Sequence, residues 1–301
     1  MKKYFKNKLS FVQRFGFALL LLLGISTGSL LAQDAPAETP VAKPVKNTFG
    51  SSLLMDNQTV MVPVKGTMEM DIQHRFGTVE DGISNMFGLF APSNIRLAMS
   101  YVPINNLCLG AGVTKERYQV DMNAKYALLK QTPKKMPVSV TYFGNIVIDA
   151  RDKSNFRYSV DRFSYFNQLM VAYKLNDRIS AQVSGNLSWF NNVPGYIDND
   201  GKIQSQMKNA HASISMLGRY HFSDKSSIII GYDQPLTAHT TNNPHPNICF
   251  GLETCTSSHC FQVFAGNYYG IVPQSNNMFN QNDYTKGEFV IGFNITRLWN
   301  F

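Results

Sequence analysis

The chain has 301 residues, with 28 lysines and arginines against 20 acids and a formal net charge of +8. Five of the bases (Lys2, Lys3, Lys6, Lys8 and Arg14) stand in the first sixteen positions with no acid among them, which leaves 23 bases against 20 acids in the rest. That near-balance removes nucleic-acid binding as a reading of the charge, and past residue 32 no apolar run is long enough for a transmembrane helix.

The basic opening is followed by an apolar run from Phe17 to Leu23 and by small residues closing on Leu30-Leu31-Ala32-Gln33. This is the pattern of a secretory signal peptide, residues 1–32, cleaved after Ala32. Gly24, Ser26 and Thr27 interrupt the run too early for a membrane-spanning helix, and no cysteine follows the cut to take a lipid anchor. Residues 33–47, rich in Pro, Ala and charge, read as a disordered linker. Residues 48–66 lack a clear period. Three placements stay open for them: inside a lumen as a plug, along a rim, or as an irregular first strand.

From Thr67 the chain becomes a series of alternating segments, as a strand with unlike faces requires. In the first, Met68, Met70, Ile72 and Phe76 share one parity, and Glu69, Asp71, Gln73 and Arg75 the other. Ten more strands are predicted at about 94–103, 106–114, 118–130, 137–149, 163–175, 178–190, 209–222, 227–233, 247–254 and 259–268. The last segment places Phe289, Ile291, Phe293, Ile295, Trp299 and Phe301 on one face, broken by Arg297. Phe143, Val147 and Ile229 fall on the polar parity of their strands.

Connections alternate long and short, except near Glu116, and Tyr101, Tyr165, Tyr173, Trp189, Tyr220, Phe222 and Trp299 lie near strand ends. Both features belong to a transmembrane barrel with short periplasmic turns, longer outside loops and aromatic girdles. The predicted fold is an all-β antiparallel transmembrane β-barrel of about twelve strands, residues 67–301, in the cell outer membrane. The even count puts both mature termini on the periplasmic side. A periplasmic β-sandwich also uses short alternating strands, but its outward face should be polar.

The stretches Ile72-Gln73-His74-Arg75-Phe76-Gly77, Asn94-Ile95-Arg96-Leu97, His259-Cys260-Phe261-Gln262 and Gly292-Phe293-Asn294-Ile295-Thr296-Arg297 resemble a domain-of-unknown-function family of outer-membrane β-barrels of Bacteroidota, over about residue 48 to the end. The chain departs from that family at Ser257 and Ser258, where a Gly-Gly pair is usual, and in Cys255 and Cys260. The resemblance implies the fold and carries no activity. The terminal aromatic Phe301 on an alternating last strand resembles the signal read by the barrel assembly machinery, the partner expected besides outer-membrane lipid.

On the interior parity lie Glu69, Asp71, Arg75, Arg96, Asp121, Lys125, Asp149, Arg219, Glu253 and Glu288. Twelve strands tilted by about 40° give a barrel roughly 23 Å across, narrowed by side chains to about 10 Å. The charges can line a selective pore or bridge one another and fill the barrel. Cys255 and Cys260, flanking a tight turn, suit a disulfide; a metal held with His259 is the sharper alternative and lacks a fourth ligand. His211 and Ser213 have the spacing of the His-x-Ser dyad of outer-membrane lipid hydrolases, but their parity points inward, away from lipid. His239 and His245 fall in a polar loop and are expected to be solvated. No catalytic residue, metal or cofactor is assigned, and no Cys-x-x-Cys-His for haem is present. The function these features favour is a passive channel or small-solute binding barrel. The alternatives are a non-conducting structural or partner-binding barrel and, behind it, a lipid hydrolase.

Overall fold

The computed structural model describes residues 42–301; the signal peptide and the first part of the linker lie outside the described residues. Twelve strands form a closed antiparallel barrel: β1 (Thr67–Thr78), β2 (Asn94–Ile104), β3 (Leu107–Thr114), β4 (Gln119–Leu129), β5 (Ser139–Asp149), β6 (Phe163–Lys174), β7 (Ile179–Phe190), β8 (Ala210–His221), β9 (Ser226–Pro235), β10 (Asn247–Cys255), β11 (His259–Gly266) and β12 (Val290–Asn300). Each strand pairs with its sequence neighbours, and β12 closes on β1, with Thr296 opposite Asp71. Closure leaves no edge with unpaired backbone groups, which a lipid surrounding requires. Among the described residues no helix is long and apolar enough to cross a membrane.

The alternation decides which face each residue takes. Along β6, Ser164, Phe166, Gln168, Met170 and Ala172 are buried inside, while Leu169, Val171 and Tyr173 are exposed on the outer wall. Along β7 the interior is polar from Ser180 through Gln182, Ser184 and Asn186 to Ser188, and only Phe190 at the strand end is apolar. The outer wall elsewhere carries Leu97, Met99, Ile228, Ile230, Phe250, Leu252 and Val263, the apolar band that acyl chains would cover.

Phe143, Val147 and Ile229 also face inward and are fully shielded. Their parity is correct; the interior is not uniformly polar. Phe143 and Ile229 form one cluster with Phe166, Met170, Leu217 and Phe264 of the wall and with Phe49, Leu54, Met55 and Val60 from the segment before β1. Residues 48–62 therefore occupy the lumen, the first of the three placements open from sequence, and supply the apolar surface that the wall's apolar patch needs.

The connections at one end are short: 105–106, 175–178, 222–225 and 256–258, with a nine-residue exception at 130–138. At the other end they are long, apart from 115–118, where Arg117 and Tyr118 both take the left-handed conformation to turn in a small space. The connection 191–209 builds a small hairpin, Gly195–Ile197 with Ile203–Ser205. Aromatic residues mark both borders of the wall: Tyr165 pairs with Trp189 near the long-loop end, and Tyr101, Met68 and Trp299 lie in register near the other.

If the outer wall meets lipid, Leu169→Arg in mid-strand should lower the folding free energy in vesicles by about 2–4 kcal/mol. Ile203→Arg, on the exposed outer hairpin, should leave it within about 0.5 kcal/mol. Urea titration by Trp fluorescence reads both, and equal losses would contradict the assignment.

Candidate functional site

The chain enters the lumen at Thr48 and turns back in a tight hairpin, Leu53–Leu54 paired with Asn57–Gln58. Gly50 passes so close to the wall that a Cβ there would sit 2.6 Å from Cys255 Sγ and 2.5 Å from Glu253 Oε1. At the hairpin tip, Met55 adopts a left-handed φ of 55°, a costly conformation for a residue with a long side chain. The wall holds it there. Met55 N–H donates to Gln262 Oε1 at 2.9 Å, and Asn294 Nδ2 donates to the Met55 carbonyl at 2.7 Å.

The rest of the plug is bonded in the same manner, side chains of the wall meeting backbone of the plug. Val60 N–H donates to Gln182 Oε1 at 2.9 Å, and Gln182 Nε2 donates to the Gln58 carbonyl at 2.8 Å. Thr141 Oγ1 donates to the Val60 carbonyl at 2.9 Å, Gln262 Nε2 to Leu53 at 2.9 Å, and Lys125 Nζ to Ser52 at 2.8 Å. A buried two-residue hairpin cannot satisfy its own polar groups, and amide side chains of the barrel supply what a neighbouring strand would.

The interior charges are arranged around this plug. Arg75, fully buried on β1, pairs with Asp56 at the hairpin tip and donates to Asn294 Oδ1 at 3.1 Å. From Asn294 the bonds run through Gln262 to Glu253, and Arg219 Nε meets Glu253 Oε1 at 2.8 Å. In the other direction around the wall from β1, Arg96 of β2 grips Asp121 through Nε and Nη2 at 2.8 and 2.7 Å and reaches Gln73 at 2.9 Å. Glu69 accepts from Ser52 of the plug, and Asp71 from Thr296 at 2.8 Å. Two predicted residues lie elsewhere: Asp149 is at the long-loop rim, paired with Arg151 at 2.7 Å, and Glu288 precedes β12 in the last connection, accepting from Asp283 N–H. Each of Arg75, Arg96, Lys125 and Arg219 has a partner in the plug or on the wall.

Sequence reasoning missed two interior acids. Asp233, buried on β9, accepts from Asn57 of the plug at 2.9 Å and from Asn247 at 3.2 Å; it has the inward parity of its strand, so the same rule finds it. Asp56 had no such signal, because its segment has no period. Also missed was the fate of the connection 267–289. It folds back into the barrel mouth as a short helix, α1 (Pro273–Phe279), whose Gln274, Asn276, Asn277 and Met278 are buried. Ser213 donates to Asn277 Oδ1, Gln274 Nε2 to Ser164 at 3.3 Å, and Phe279 packs on Phe190 at 4.8 Å between ring centres.

His211 and Ser213 face inward but do not form a dyad. Ser213 is bonded to Asn277 and Asn186, and His211 Nδ1 lies 2.9 Å from His239 Nε2. His239 is thus buried, against the expectation that its loop leaves it solvated. Its Nδ1 accepts from Lys208 N–H at 3.0 Å, so the neutral ring carries its proton on Nε2 and donates it to His211. Cys255 and Cys260 are joined by a disulfide, while Cys108 and Cys249 are buried thiols. Glu253 lies beside the two sulfurs but is bonded to Arg219 and Gln262, and His259 stacks on Phe261 at 6.1 Å.

A model of the family described as membrane bound beta barrel domain (DUF5777) matches residues 49–299. The chain belongs to that family. The match begins at Phe49, so the family unit includes the plug as well as the twelve strands. No curated protein matches the chain. Among solved structures the NanC porin is 10% identical, with 78% of this chain and 99% of that one covered at a TM-score of 0.46. The KdgM porin is 10% identical, with 78% and 99% covered at 0.45. An outer-membrane channel from Pseudomonas putida F1 is 12% identical, with 79% and 97% covered at 0.45.

Two outcomes follow from the bonds. Arg75→Ala and Asp56→Ala each strand a buried charge and should each destabilise the seated plug by about 3–5 kcal/mol, while the double variant should lose clearly less than the sum. Protease cleavage of the plug against denaturant measures the cycle, and strict additivity would show that the pair is not coupled. Burial, with Lys208 nearby, lowers the His239 pKa from its ordinary 6.5. A base with a depressed folded pKa contributes fully above the unfolded value and loses that contribution as pH falls through it. The 236–246 loop should therefore loosen below about pH 6.5 in hydrogen exchange, and His239→Phe should weaken the pH dependence.

Proposed function

We propose that this protein works in the outer membrane as a plugged barrel: a small-solute channel or binding barrel whose passage opens when residues 48–62 leave the lumen. The observation that carries this is the mode of attachment. The wall holds the plug through side-chain hydrogen bonds from Gln182, Gln262, Asn294, Thr141 and Lys125, with the Asp56–Arg75 pair at the tip and one apolar cluster around Phe49, Leu54, Met55 and Val60. The plug runs on into β1, and just before it Val45 N–H donates to the Gln131 carbonyl at 2.8 Å and Lys174 Nζ to the Lys46 carbonyl at 3.2 Å, so the segment between is an arm held at the short-turn end. The wall left behind would be narrow, polar on β7 and lined by both signs of charge, suited to small hydrophilic solutes. The signal-like opening of the chain and the apolar outer wall support export and outer-membrane insertion, with the termini and the short turns toward the periplasm.

A second reading is favoured by α1. With the plug below and α1 in the mouth, the lumen is closed at two levels, as a non-conducting structural or partner-binding barrel would be.

Planar-bilayer recording separates the two. The full chain should be silent or open rarely. A variant lacking residues 48–62, with residues 273–279 replaced by a Gly-Ser stretch of equal length, should give steady steps that scale with salt. Silence from such a variant, shown folded by heat-modifiable migration, would favour the structural reading.

A further inference from the structure

The nine-residue connection 130–138 is long for its end of the barrel. Thr132 and Met136 bond each other's backbone at 2.8 and 2.9 Å, making a small loop with Lys134 and Lys135 at its tip. The Gln131 side chain ties that loop to the end of β6, donating to the Lys174 carbonyl at 3.1 Å and accepting from Lys174 N–H at 2.8 Å. The strand β5 starts between them, and the loop crosses below it. Between the loop and the end of β6 lies a cavity of about 560 Å³.

Its lining is of two kinds. Tyr173 and Leu175 carry the outward parity of β6, are about half exposed, and continue the apolar wall. Lys134 and Lys135 are exposed, and among the described residues neither forms an ion pair. The acid in the groove, Asp177, is already paired with Lys174 Nζ at 3.1 Å. The surroundings repeat the sign: Lys43, Lys46, Lys65 and Lys130 stand at this end against Asp177 and Asp224. Two unpaired ammonium groups beside an apolar wall at the membrane border match a molecule with an anionic head and a hydrocarbon tail. The volume takes a headgroup and glycerol backbone, with the acyl chains continuing along the outer wall.

We propose that this groove is a binding site for one anionic phospholipid, its phosphate held by Lys134 and Lys135 and an acyl chain lying on Tyr173 and Leu175. Only the leaflet, the periplasmic one, rests on the orientation proposed above; the site does not depend on whether the plug moves, and conductance and lipid retention fail independently.

Native mass spectrometry of the folded full chain tests it, with dioleoyl phosphatidylglycerol and dioleoyl phosphatidylcholine as probes in equal amounts. One bound phosphatidylglycerol should survive delipidation, with at least a fivefold preference over phosphatidylcholine. Lys134→Gln with Lys135→Gln should cut that preference at least fivefold, while Lys202→Gln on an outer loop should leave it unchanged. Tyr173→Ala should weaken retention of both lipids. Wild-type retention by the double variant, or equal retention of the two lipids by the wild type, would overturn the proposal. Displacement by deacylated glycerophosphoglycerol at equal concentration would overturn the acyl contact.

Discussion

A polar group sealed inside a membrane barrel has to find its partner there, and this requirement shapes the molecule from the hairpin tip outward. The backbone of residues 48–62 runs through the lumen without a neighbouring strand. Its amides and carbonyls are met by Gln182, Gln262, Asn294, Thr141 and Lys125, which stand on five different strands of the wall. Once those amides are committed, the interior charges follow. Arg75 needs Asp56, Glu253 needs Arg219, Asp121 needs Arg96, and Asp71 and Asp233 collect hydroxyls and amides. Each net bond contributes only about 1 kcal/mol, whereas an orphaned buried partner costs more, so the set stands or falls together.

The barrel itself was written plainly in the residues. Period-two alternation, closed by an even strand count and checked by loop lengths, located all twelve strands to within a few residues, because lipid outside and polar groups inside impose unlike faces on each of them. Eight of the ten charges expected inside, Arg75 and Glu253 among them, face inward by the same rule; Asp149 at the rim and Glu288 in the last connection do not. The plug was not. Ser51, Leu53, Leu54, Met55 and Asp56 follow no period, since their environment is a lumen seen from within and has no two faces. Yet its trace was present in the wall: Phe143 and Ile229, apolar residues on a polar parity, are the imprint of something apolar inside. Helix α1 left no such trace, because its seven residues are mostly Asn, Gln and Ser and read as a loop.

Two ends of different character result. At the long-loop end, α1, the His211–His239 pair and Phe190 with Phe279 pack into a lid built largely from the protein's own long connections. At the short-turn end the chain enters, the plug begins, and lysines outnumber acids. The barrel is closed from one side by a folded loop and from the other by a tethered arm, and the two meet at Tyr268, which stands at the start of the connection carrying α1 and is buried in one cluster with Phe49, Leu54, Met55 and Val60 of the arm.

The tip of that arm does more than obstruct. Asn294 stands on the last strand and Arg75 on the first, with Gln262 on the strand next to the last; the three converge on Met55 and Asp56. These bonds straddle the line where the ring is joined, alongside Thr296 with Asp71 and Asn300 with Thr67. The segment that is synthesised before any strand thus serves as a clasp across the joint made by the last one. A barrel whose arm had left would lose the bonds that Met55 and Asp56 make on either side of its own seam.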